Sequence, residues 1–130
     1  IDLDAVKPGL THYDFGDALR SICNQAGEEA PDLNLVRFDT DLCAAFIKGY
    51  LSRARDFLTA ADQHYLYDSI RLIAFELGLR FFEDYLAGDR YFKVNSAEHN
   101  LRRARVQFRL CESIETREKA IRSILDGFAN

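Results

Sequence analysis

Ile70-Arg71-Leu72-Ile73-Ala74-Phe75-Glu76-Leu77-Gly78-Leu79-Arg80-Phe81-Phe82-Glu83-Asp84-Tyr85-Leu86 decides how this chain folds. Its apolar residues (Ile70, Leu72, Ile73, Phe75, Leu77, Leu79, Phe81, Phe82, Tyr85 and Leu86) fall all round a helical wheel rather than on one side. A helix apolar on every side is buried on every side, so the stretch is expected to be the core helix of an all-α body. Thr59 followed by Asp62 resembles a capping box opening that helix, and Gly88 is expected to stop it after Ala87. Gly78 is expected at a kink or a tight contact. Arg80 is the exception in this company, since a buried guanidinium needs an acidic partner or a polar cavity. Tyr91, in the turn Gly88-Asp89-Arg90-Tyr91-Phe92-Lys93, comes near it if that turn folds back.

The segments on either side repeat the helical pattern. Phe15, Leu19 and Ile22 share one face of a helix expected over 14–25, capped by Asp14 and ended by Gly27. Residues 26–34 read as an exposed loop. Asp39 or Thr40 can cap a second helix with the stripe Leu42, Phe46, Gly49, Tyr50, Arg53 and Phe57, in which Gly49 would permit close helix contact. Downstream, Asn95 with Glu98 is a second capping-box candidate, opening a helix through Leu101, Ala104, Phe108 and Cys111. Ile121, Ile124, Leu125 and Phe128 mark a last helix, and its continuity with the one before is open. At the front, residues 1–4 alternate apolar and acidic like a short strand, and Lys7-Pro8-Gly9 is a turn.

At 130 residues the chain suits one helical domain, 1–130, with a core of its own. Apolar residues at 48% and charged residues at 29% place it among globular rather than disordered chains. A net charge of −4 argues against general nucleic-acid binding. No apolar run approaches the ~20 residues of a membrane span, and no signal peptide is visible. Cys23, Cys43 and Cys111 are odd in number and form no CxxC pair, so buried free thiols and a reducing, cytoplasmic setting are expected. The chain has no initiator methionine and opens directly on a strand-like motif, so a piece of a longer protein, or a processed one, is expected.

Asp2 and Asp4, at a strand end beside a loop, have the oxygen-ligand chemistry of a divalent-cation site. No HExxH, GK[ST] or GxGxxG occurs. His12-Tyr13-Asp14 imitates the H-x-D of a kinase catalytic loop, but that loop needs an asparagine five residues after the aspartate. Position 19 is Leu, so Asp14 is read as a structural residue, and no residue of the chain is read as catalytic. His64 and His99 lack partners at ligand spacing and are expected at the surface. Arg102, Arg103, Arg105 and Arg109 form a basic cluster, expected to serve internal salt bridges, with a phosphate or a partner as the alternative.

Read together, Ile1-Asp2-Leu3-Asp4 and Tyr13-Asp14-Phe15-Gly16-Asp17-Ala18-Leu19-Arg20 resemble the metal-binding segment of the aminoglycoside phosphotransferase and choline kinase superfamily, whose fold is protein-kinase-like. The resemblance implies that Asp2 holds Mg²⁺ against the phosphates of ATP and that Asp14 is the structural aspartate tying its helix to the catalytic loop. The catalytic aspartate is then expected upstream of Ile1. Residues 78–92 are similar to the N-acetylhexosamine 1-kinase branch, in which residues at the places of Arg80 and Tyr91 contact the sugar. The implied protein is the helical C-terminal subdomain of a sugar kinase, with a short strand and loop at its N-terminus and no N-lobe or H-x-D-x-x-x-x-N loop. Alone it is expected to be inactive, and the surface left by the missing lobe could form a homodimer. Alternatives are a kinase for an aminoglycoside, choline or homoserine, a relative labelled mucin desulfatase, or a non-catalytic helical interaction module.

Overall fold

A computed structural model describes residues 11–54 and 65–127. The elements are α1 (Thr11–Ile22), a 3-10 turn (Leu33–Leu35), α2 (Thr40–Ala54), α3 (Leu66–Leu86), α4 (His99–Thr116) and α5 (Glu118–Gly127). The fold is mainly α, and no strand occurs among the described residues. The strand expected at residues 1–4, and Asp2 with it, lies outside them. α3 is the hub, with its largest interface to α4 and the next to α1, while α2 and α5 meet beside it. Phe15 and Leu19, Ile47 and Tyr50, Tyr67 and Ile70, Leu110 and Ile114, and Ile121 join all five helices in one core. Cys23, Cys43 and Cys111 are buried free thiols. Among the described residues no helix is long and apolar enough to cross a membrane.

α1 begins a turn earlier than its sequence pattern indicates, so Asp14 stands inside the first turn rather than at the cap. A carboxylate is favoured by the helix dipole at either place, which is why composition does not fix the boundary. Cys23 rather than Ile22 follows Leu19 into the core. Gly27, at φ +81, serves a separate turn in which its N–H donates to Asn24 O. α2 starts as expected, with Asp39 Oδ1 accepting from the N–H groups of Asp41 at 2.9 Å and Leu42 at 3.1 Å. Its buried row is Cys43, Ile47 and Tyr50. Gly49 is exposed, and among the described residues a Cβ there would meet nothing within 4 Å.

The largest correction concerns α3. Its buried residues are Leu66, Tyr67, Ser69, Ile70, Ile73, Ala74, Gly78, Phe81 and Asp84. Leu72, Phe75, Leu79, Phe82 and Leu86, expected in the core, are between 38% and 69% exposed. The reason is geometric: α1 and α4 cover two arcs of the helix, and small residues choose which arcs. A Cβ on Gly16 would lie 2.5 Å from Ser69 O, and one on Gly78 would lie 2.7 Å from the Phe108 ring. Both crossings are therefore closer than a side chain would permit. The Thr59–Asp62 capping box falls outside the described residues. At the other end α3 stops as expected, with Ala87 as C-cap.

α4 starts at His99 rather than at Asn95, and Glu98 occupies the cap without a side-chain bond. Instead the Asn95 N–H donates forwards to His99 Nδ1 at 3.0 Å. Arg117, at φ −109 and ψ 15, separates α4 from α5. The last two helices are two.

Candidate functional site

The end of α3 is turned back by two residues with left-handed backbone, Gly88 at φ +94 and Asp89 at φ +60. This brings the next residues alongside the helix they have just left. The Arg80 guanidinium lies 5.9 Å from the centroid of the Tyr91 ring and 6.0 Å from that of Phe92. The two residues singled out in the sequence therefore meet. Arg80 differs from expectation in its surroundings: it is exposed, forms no ion pair among the described residues, and is accommodated by aromatic faces. Arg80, Glu83, Asp84, Ala87, Tyr91 and Phe92 enclose a shallow pocket of about 280 Å³.

Asp84 holds this wall in place. It is only 7% exposed. Its Oδ1 accepts from the Tyr91 N–H at 2.8 Å, and its Oδ2 from the Phe92 N–H at 3.0 Å. Asn100, fully buried at the start of α4, donates through Nδ2 to Asp84 Oδ2 at 2.8 Å and Asp89 Oδ1 at 3.1 Å. Burial pushes the Asp84 carboxyl up, but the N–H groups of Phe92, Tyr91 and Arg90 outweigh it and leave the pKa below the usual carboxylate range. With both oxygens committed to hydrogen bonds, Asp84 positions the turn.

A second layer ties the junction to the loop before α2. Arg103 donates through Nη1 to Asn100 Oδ1 at 3.1 Å and Lys93 O at 2.9 Å, and through Nε to Glu29 Oε1 at 3.1 Å. The other oxygen of Glu29 meets His99 Nε2 at 2.7 Å. Because a backbone N–H donates to His99 Nδ1, the ring proton sits on Nε2 and points at Glu29. His99, expected at the surface, is buried at 4% exposure with two partners. Burial raises the Glu29 pKa, and the His99 and Arg103 hydrogen bonds bring it below the ordinary value. The basic cluster is thus divided: Arg103 serves this network, Arg102 donates to Ser96 Oγ, and Arg109 pairs with Glu112.

Chemically the pocket offers an exposed guanidinium over two aromatic rings and a carboxylate rim from Glu83, which suits binding of a polar ring compound. Asp14 lies elsewhere: its charge, after burial, helps raise the Tyr50 phenol. Asp2 and His64 lie outside the described residues. Among the described residues no three His, Cys, Asp or Glu side chains gather as a metal site. No protein-family model matches the chain.

Asp84, Asn100 and Glu29 escaped the sequence, His99 reads there as a surface residue, and Arg103 forms with Glu29 the internal salt bridge expected of it. One signal existed: Asp84 continues the row Ile70, Ile73, Phe81, and a carboxylate on a buried row demands donors. Glu29 and His99 are 70 residues apart, and no local spacing joins them.

Proposed function

We propose that the chain is the helical C-terminal part of an ATP-dependent kinase acting on a hydroxyl of an N-acetylhexosamine or a similar sugar, in the aminoglycoside phosphotransferase and choline kinase superfamily. The observation that carries the proposal is the meeting of Arg80 with Tyr91 on one wall of a pocket braced by Asp84. These are the residues that the resemblance assigns to sugar contact. Aromatic faces and a guanidinium donor beside them suit the apolar faces and hydroxyl edges of a sugar ring. Mg²⁺ and ATP enter the proposal through Asp2, where the cation would neutralise phosphate charge. The chain contains no H-x-D-x-x-x-x-N loop, so the proposed chemistry needs a catalytic aspartate from outside it.

The test is an ATP- and Mg²⁺-dependent phosphorylation assay on N-acetylhexosamines, with a protein that carries such a loop ahead of Ile1. Arg80→Ala and Tyr91→Ala are expected to raise KM for the sugar with kcat less affected, and Asp2→Ala to abolish turnover. Full turnover by the Asp2→Ala variant would sink the assignment. An aminoglycoside, choline or homoserine phosphorylated in place of the sugar would move the proposal to another branch.

The exposed face of α3 favours a second reading, a helical interaction module. Leu72, Phe75, Leu79, Phe82 and Leu86 are spaced three and four residues apart, as in a helix-pairing seam. In this reading a second copy of the chain covers the seam. Sedimentation equilibrium would then show a dimer that Leu79→Glu dissociates; a monomer at all concentrations would remove the reading.

A further inference from the structure

A second cavity, of about 290 Å³, lies at the far end of α4, against the segment that follows the 3-10 turn. Arg37, Arg109 and Arg117 line it together with Glu112, Ser113 and Thr116. Guanidinium groups keep their charge at all ordinary pH values, so three positive charges surround one space. Among the described residues of the lining only Glu112 opposes them, reaching Arg109 at 3.4 Å with a side chain 68% exposed. Arg37 and Arg117 form no ion pair among the described residues. Asp39, whose charge reaches Arg37, is committed to capping α2 and to Gln25.

The floor of the cavity supplies an independent indication. Ser113 is 8% exposed. Its Oγ accepts from the Phe38 N–H at 2.8 Å and from Arg117 Nη1 at 2.7 Å. Both lone pairs are used, and the hydroxyl proton has no acceptor among the described residues. Buried polar groups are as a rule satisfied, and here an acceptor is missing. Arg117 Nη1 also reaches Thr116 Oγ1 at 3.3 Å and Ser113 O at 3.4 Å. That holds the guanidinium against the end of α4 and leaves its Nε and Nη2 donors without an acceptor among the described residues. The cavity is therefore donor-rich and cationic, and among the described residues that line it Glu112 alone carries a carboxylate.

We propose that this cavity binds a phosphate group, free or as the monoester of a small molecule, between Arg37, Arg109 and Arg117, with Ser113 Oγ–H donating to one phosphate oxygen. Phosphate is acceptor-rich, and the forked guanidinium matches its oxygens in pairs. The volume stands at the lower end of ligand pockets, which run from roughly 300 to 1,000 Å³, so the ligand is a small ester rather than a nucleotide. None of these residues belongs to the Arg80 pocket, and the proposal holds whether or not the chain is part of a kinase.

Isothermal titration of the full 130-residue chain at fixed ionic strength tests it, with inorganic phosphate and glycerol 3-phosphate as probes. Saturable binding is expected, with amide shifts concentrated at Phe38 and Ser113 in a ¹⁵N-labelled sample. Arg37→Gln, on an exposed loop and benign to folding, and Arg117→Gln are each expected to weaken binding by about tenfold or more. Arg105→Gln, exposed on α4 and away from the cavity, is expected to leave it unchanged. Tighter binding of glycerol 3-phosphate identifies an ester site, and equal binding identifies a site for the free anion. No saturable binding of either probe overturns the proposal. So does an Arg105→Gln loss as large as that of Arg37→Gln, because binding would then follow overall charge and not this cavity.

Discussion

One side of α3 carries Ile70, Ala74, Gly78 and Phe81 and is buried, whereas the other carries Leu72, Phe75, Leu79, Phe82 and Leu86 and reaches solvent. By hydrophobicity alone the exposed side is the stronger candidate for the core. The buried side differs in size profile: Ser69, Ala74 and Gly78 alternate with larger residues, which lets α1 and α4 approach the helix backbone. The exposed side is uniformly large, at the spacing of a pairing seam. Close approach, and not apolar content, selects which face a small helical domain buries.

The comparison is most directly broken at Ile70, which is fully buried. Ile70→Ala is expected to cost about 2–5 kcal/mol, from lost transfer free energy plus the cavity left behind. Denaturant unfolding followed by far-UV circular dichroism would measure it. A loss below about 1 kcal/mol would mean that the face counted as buried is loosely packed.

The glycines sharpen the same point. Ala in place of Gly inside a helix ordinarily gains about 1 kcal/mol. At Gly16 the new methyl would meet the backbone oxygen of Ser69 at 2.5 Å, and backbone cannot swing aside. Gly16→Ala is therefore expected to be destabilising by about 1–3 kcal/mol in spite of propensity. At Gly78 the obstacle is the Phe108 ring, a side chain only half-buried. Gly78→Ala should lose distinctly less, and equal losses at the two sites would refute the distinction between backbone and side-chain contact.

These residues also show how far the sequence is legible. The helices, the Asp39 cap, the stop at Gly88 and the proximity of Arg80 to Tyr91 all depend on short-range periodicity and turn chemistry, and each is readable. The exposed face of α3 is not, because a wheel records which residues are apolar and not how many neighbours the domain can supply. The bracing of the pocket is likewise hidden. Asp84, Asn100, Arg103, Glu29 and His99 are joined by hydrogen bonds across 70 positions of chain, and only folding brings them together. Arg37, Arg109 and Arg117 converge in the same way, from a loop, a helix and a helix end.

Asp84 sets the pocket apart from the rest of the α3 surface, and acid should reveal it. Its folded pKa lies below the ordinary value of 3.8, so the carboxylate contribution is complete above that value. It is lost as pH falls through the folded pKa. Asp84→Asn is expected to lower Tm at neutral pH and to flatten the acid limb of the Tm–pH curve. The signature separates charge from packing: an unchanged acid limb in Asp84→Asn would assign that limb to other carboxylates, such as Glu29.

The smallest expected effect belongs to the exposed seam. Leu79 is 45% exposed, and a substitution there creates no cavity and strands no polar group. At high dilution Leu79→Ser is expected to change unfolding free energy by no more than about 0.5 kcal/mol. Ile73→Ser, one turn and a half away on the buried side, should be far more costly. If a second copy covers the seam, the parent chain gains Tm with increasing protein concentration and Leu79→Ser removes that slope, because binding stabilises only the folded form. A Tm independent of concentration in both proteins would leave the seam without a second copy. A large loss in Leu79→Ser at high dilution would instead show that Leu79 is packed within the monomer, and the contrast between the two faces of α3 would fall.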